Sequence, residues 1–140
     1  MTHRRKTIRD AVVTKLSSAV IVGSGKVYSN RLLALPIASL PAINVYATEE
    51  LAEQVEVPGD ETLRTLDLTV EVEVANADDA TIDDTLDSYC ELIEAAMKAD
   101  PSLGIQGVDC SLTATALEST AEGEAPTGSA SLTYTIRYFT

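Results

Sequence analysis

Two segments alternate apolar and polar residues with a period of two, and together they restrict the chain to folds built on a one-sided sheet. Over Thr62 to Ala75, Leu66, Leu68, Val70, Val72 and Val74 share one side, while Asp67, Thr69, Glu71 and Glu73 share the other. Over Ser129 to Thr140, the even positions Ala130, Leu132, Tyr134, Ile136 and Tyr138 are apolar, and most odd positions are hydroxylated or charged. Successive side chains of a strand point to opposite faces, so this pattern predicts antiparallel strands with one face buried and the other wet. Tryptophan is absent and Phe139 is the only phenylalanine, so the core must be built from Val, Leu, Ile, Ala and Tyr.

Helical spacing appears twice. From about Arg4 to Ile21, Ile8, Ala11, Val12, Leu16, Ala19 and Val20 form one apolar stripe; Thr7 and Asp10 have capping-box form, and Thr2 is an equally good start. Gly23-Ser24-Gly25 is expected to end this helix, ahead of a short strand near Lys26 to Ser29. The second stripe is Ile82, Leu86, Tyr89, Cys90, Ile93 and Met97, opened by the pair Thr81 and Asp84 and stopped at Asp100-Pro101.

The remaining segments complete the plan. Pro36 and Pro41 make Arg31 to Pro41 an ordered loop, and Ala42 to Thr48 alternates as a strand. Glu49 to Glu61 carries six acids and the turn Pro58-Gly59-Asp60, and is expected to project as an acidic hairpin or flap. A strand from about Gln106 to Ser119, with Val108, Cys110, Leu112, Ala114 and Ala116 inward, joins the closing strand through Thr120 to Gly128, a small polar loop expected to be mobile. The 140 residues therefore predict one α+β domain, with two helices packed on one face of a mixed, mostly antiparallel sheet and a long C-terminal hairpin.

Charge divides the chain. Met1 to Arg31 holds seven bases (Arg4, Arg5, Lys6, Arg9, Lys15, Lys26, Arg31) against Asp10, or +6; the rest holds three bases against twenty-one acids, or −18, giving the net −12. A sheet domain this acidic repels nucleic acid. The basic start either forms a solvated helix face or docks on an acidic neighbour, including another copy of the chain. No apolar run approaches the ~20 residues that span a bilayer, and the basic start lacks the apolar stretch of a signal peptide. The sequence predicts a chain made and folded in a cytosol.

Catalytic signatures are missing. His3 is the sole histidine, which leaves little for a Ser-His or Cys-His mechanism. Gly23-Ser24-Gly25-Lys26 has part of a phosphate-loop pattern, but it follows a helix and lacks the full frame. Cys90 and Cys110 are expected as buried free thiols, with a disulfide as the alternative. Asp78, Asp79, Asp83 and Asp84 either share a divalent cation at an interface or form an acid-rich loop that caps a helix. Glu71 and Glu73 imitate half of a metal-nuclease site, but no lysine or histidine follows them, so the chain is expected not to be an enzyme.

Four stretches, taken in order, carry a resemblance. They are Ile8-Arg9-Asp10-Ala11-Val12-Val13 with Leu16; Leu40-Pro41-Ala42-Ile43-Asn44-Val45-Tyr46 followed by acids; Val70-Glu71-Val72-Glu73-Val74 followed by an acid-capped helix through Asp87 and Tyr89; and Ser131-Leu132-Thr133-Tyr134-Thr135-Ile136-Arg137-Tyr138. With this order over essentially its whole length, the chain resembles the tail terminator family of long, non-contractile-tailed bacteriophages. The resemblance implies a structural protein without catalytic activity or cofactor. Such a protein forms a hexameric ring on the head-proximal end of the tail tube, stops addition of the major tail tube protein and offers a surface to head-neck proteins. DNA would pass through the lumen without specific binding, and the protein would reside in the virion after assembly in the host cytoplasm. Contacts to neighbouring subunits or the tube are expected from Arg4, Arg5, Lys6 and Arg9, from Tyr28, Arg31, Leu32, Leu33 and Leu35, and from Glu49, Glu50, Glu53 and Glu56 in the flap; the leucines fit plain core packing equally well. Another neck or head-completion protein of the same fold is the second expectation, and a divalent-metal-dependent nuclease a remote third.

Overall fold

Strands form where the period-two segments lie, and helices where the spacing is three and four. The computed structural model describes residues 3–19, 21–22, 26–30, 40–54, 62–75, 82–120 and 127–139. In chain order the elements are α1 (Arg4–Ser18), β1 (Val27–Ser29), β2 (Ala42–Gln54), β3 (Thr62–Ala75), α2 (Ile82–Lys98), β4 (Asp109–Thr120) and β5 (Thr127–Phe139). The five strands form one sheet in the order β1-β2-β3-β5-β4. β1 lies parallel to β2, and every other pairing is antiparallel. Since β3 and β4 both oppose β5, they run in the same direction, and α2 carries the chain from one to the other with β5 inserted between them. This is the α+β architecture the alternation predicts, including the closing β4–β5 hairpin.

One apolar cluster joins the helices to one face of the sheet. Ile8, Val12 and Leu16 of α1 and Ile82, Leu86, Cys90, Ile93 and Met97 of α2 are buried against Ile43, Val45, Leu66, Leu68, Val70, Val72, Val74, Leu132, Tyr134, Ile136 and Tyr138. Each such side chain contributes roughly 1.5–3 kcal/mol of apolar transfer. The helix–sheet contact is close at Gly128: a Cβ added there would lie 2.7 Å from Ile82 Cγ2 and 3.0 Å from Leu86 Cδ1. Leu103 adopts φ 55° in the turn before β4 and remains 8% exposed, so burial of its side chain offsets an unfavourable backbone.

Several boundaries and faces differ from expectation. α1 is capped by His3, whose Nδ1 accepts from the Arg5 N–H at 3.0 Å, so the sole histidine is an N-cap. Thr7 and Asp10 lie inside the helix, where Asp10 accepts from Lys6 at 2.6 Å. The helix closes at Ser18, and Ala19 is an exposed C-cap outside the apolar stripe; the β-branched Val20-Ile21-Val22 run that follows favours helix poorly. β2 does not stop at Thr48 but continues to Gln54, paired with β3 as far as Thr62. β4 begins at Asp109, after the turn that holds Gly107 at φ 78°.

The largest correction is on β4. Val108 and Cys110 are buried, but a bulge between Leu112 and Ala114 shifts the register, so Ala114 and Ala116 pair with Thr133 and Ser131 and join the open face. One inserted residue inverts every later side chain. Leu112 and Leu117 end 37% and 55% exposed.

Candidate assembly interface

A second bulge builds the main polar cluster. Ala47 pairs with Leu68 and Glu49 with Asp67, leaving Thr48 as the extra residue, so Glu50 emerges on the helix side opposite Leu66. There one Glu50 carboxylate oxygen accepts from both Arg5 of α1 and Arg64 of β3, the latter at 3.1 Å. The other accepts from the Tyr138 hydroxyl. The Glu50 side chain is only 8% exposed. Burial alone would raise the Glu50 pKa; the hydrogen bonds from Tyr138, Arg5 and Arg64 outweigh it and hold the carboxyl below its ordinary value. Burial, and then Glu50 itself, push the Tyr138 hydroxyl well above the usual phenol range. Arg4 completes the cluster: its guanidinium lies 5.5 Å from the Tyr138 ring centroid and donates to the Phe139 carbonyl at 2.7 Å.

The face opposite the helices carries hydroxyls and carboxylates. Glu71 accepts from Ser131 at 3.3 Å and from Tyr46 at 3.5 Å, and Asp67 accepts from Thr135 at 3.1 Å. Partial burial, and then the neighbouring Glu71, raise the Glu73 pKa. At the end of this face where β2 ends and β3 begins the chemistry changes. Leu63 pairs with Phe139, Glu53 pairs with Leu63, and Leu51 pairs with Thr65. Leu51 is 63% exposed and Phe139 45%, which gives the hairpin tip an apolar surface rimmed by Glu49 and Glu53.

The remaining expected site residues are dispersed. Lys6 pairs with Asp10 on the exposed side of α1, and Arg9 donates to Ser29 at 3.0 Å. Tyr28 is half-buried on β1. The structure thus brings Arg4, Arg5 and Glu50 together within one chain, whereas Lys6 and Arg9 take Asp10 and Ser29 as partners. Asp83 and Asp84 are exposed in the first turn of α2. Arg31, Leu32, Leu33, Leu35, Glu56, Asp78, Asp79 and the loop 121–126 lie outside the described residues, as does Thr81. Among the described residues, no group of three or more His, Cys, Asp or Glu side chains is placed to hold a metal ion, and no helix is long and apolar enough to cross a membrane. Cys90 and Cys110 are buried free thiols, and burial pushes Cys110 up to about 12.

Against known proteins, no family model and no curated sequence matches. The fold, however, is similar to that of a chain in the solved virion of a native gene transfer agent (GTA) particle: TM-score 0.57, 15% identity, with 95% of each chain covered. The fold is one used in a virion.

Three features of the surface escape a linear reading. Leu51, Leu63 and Phe139 lie in segments that read as polar or terminal, and only pairing across three strands makes them one patch. The apolar residue Leu63 next to Thr62 and Arg64, and the lone Phe139 at an odd position of the closing strand, are the signals that point to it.

Proposed function

We propose that the chain is a tail terminator: a virion structural protein that closes into a ring, by preference a hexamer, on the head-proximal end of a tail tube, stops its growth and presents a docking surface to head-neck proteins. The observation that carries this is the end-to-end fold likeness to a virion chain, at TM-score 0.57 over 95% of both chains, together with the ordered sequence stretches described above. Charge supports it. A net −12 makes a ring of copies strongly anionic, and such a lumen wall repels DNA phosphates and lets the genome slide.

The Glu50 cluster ties α1 to one end of the sheet, beside the exposed Leu51 and Phe139 and the half-buried Leu63. An exposed apolar patch with an acidic rim is a protein-contact surface, and here it is assigned to the tube or the next subunit. Ring closure requires head-to-tail contacts between unlike surfaces of identical subunits. Another neck or head-completion joint protein of the same fold is the competing assignment, and the two differ in what they do to a growing tube. Purified protein added to polymerising tail-tube subunits is expected to shorten the tubes and leave density at one end. Tubes of unchanged length with bare ends reject the terminator role.

A further inference from the structure

Among the described residues the sheet is open at its β4 edge. β4 pairs only with β5, and residues 111–119 are exposed along its length. Proteins usually blunt such an edge with lysine, proline, brevity or a bulge, and of these β4 has only the bulge at Thr113. β4 has 12 residues, contains neither lysine nor proline, and carries only Asp109 and Glu118, near its ends. Between β4 and the C-terminal half of α2 lies an apolar groove of about 300 Å³, lined among others by Glu94, Met97, Cys110, Leu112 and Tyr134. Tyr134 is 3% exposed, and among the described residues its hydroxyl has no hydrogen-bond partner. Buried hydroxyls are nearly always paired, with protein or with water, and this one belongs to a residue that borders the groove.

We propose that this edge receives an extended segment of a partner protein in which apolar residues alternate with lysine or arginine. The segment adds to the sheet as a further strand on β4, seats an apolar side chain in the groove and sets a polar atom against the Tyr134 hydroxyl. Unpaired main-chain groups of an edge strand supply affinity in this mode, and pockets beside it supply selectivity. Charge specifies the occupant. The outer face of α2 presents Asp83, Asp84, Asp87, Glu91 and Glu94, all exposed, against the single base Lys98, which lines the groove beside Glu94. A second copy fits poorly, because the strands of this chain carry two bases, Arg64 and Arg137, against eight acids, and Arg64 is already paired with Glu50. The inference goes beyond the terminator reading and does not depend on it.

The test uses two fluorescein-labelled peptides, Lys-Val-Thr-Leu-Lys-Val-Thr and its counterpart with glutamate for lysine, with anisotropy for binding and hydrogen exchange for location. The basic peptide is expected to bind and to slow exchange of amides in 109–120, and the acidic one to stay free. Leu112→Lys, at a 37% exposed position, is expected to weaken binding by about tenfold, as is the double variant Glu91→Lys, Glu94→Lys. Tyr134→Phe, with unchanged circular dichroism, is expected to weaken it several-fold. Absent binding, equal binding of both peptides, protection confined to other segments, or a concentration-dependent dimer of the free protein protected at 109–120, would each overturn the proposal.

Discussion

The Tyr138 hydroxyl on β5 donates to Glu50 on β2, and because β3 lies between those strands the bond spans the central strand of the sheet. Arg5 meets the same carboxylate from α1, so one side chain ties three strands to a helix. Replacing Glu50 with alanine removes an acceptor shared by two guanidinium groups and a phenol. Arg5 remains 42% exposed and recovers water, which limits the loss. Glu50→Ala is expected to lower stability by about 2 kcal/mol, read as a reduced urea midpoint at unchanged slope.

The pH dependence of stability carries two opposed contributions. Folded Glu50 binds its proton less tightly than an unfolded glutamate, whose pKa is about 4.3. Its contribution is therefore full above that value and lost as pH falls through its depressed folded pKa. Glu73 has a raised folded pKa, so its contribution is full below about 4.3 and lost as pH rises through the raised value. Urea titrations should show Glu50→Gln destabilised at neutral pH, with the deficit closing under acid. Glu73→Gln should be stabilised at neutral pH, with the gain closing toward about pH 4.

Gly128 is where α2 closes on β5. Gly128→Ala places a methyl 2.7 Å from Ile82 Cγ2, a β-branched group with few escapes. The expected cost is about 1–2 kcal/mol. The double variant Gly128→Ala, Ile82→Val, which shortens the opposing chain but keeps Cγ2, should recover little of it. Recovery by Ile82→Ala would place the clash at that methyl.

Tyr134→Phe removes a buried hydroxyl that makes no hydrogen bond among the described residues. The free protein is expected to gain about 1 kcal/mol, measurable as a higher urea midpoint. A loss of similar size would mean that the hydroxyl is satisfied within the chain.

The strands and helices were legible because burial imposes a period, and the alternation in β3 and β5 and the stripe of α2 match the buried residues closely. What the sequence hid were the two bulges. Around Thr48 every side chain from Ala47 to Glu50 is small or polar, so no apolar residue marks the change of face that turns Glu50 inward. On β4 the run Leu112-Thr113-Ala114-Thr115-Ala116-Leu117 fits either register, and the pairing partner, not the pattern, decides. The basic start shows the same limit. Composition places Arg4 and Arg5 near an acidic surface but does not distinguish a neighbouring subunit from the chain's own Glu50, which lies 45 residues from Arg5.

Electron microscopy of tail tubes assembled with the purified protein tests the ring most directly. A terminator appears as an axial ring of identical subunits, six by preference, at one end of each tube, with an open anionic pore. Density off the tube axis, or along the tube wall instead of at its end, contradicts it.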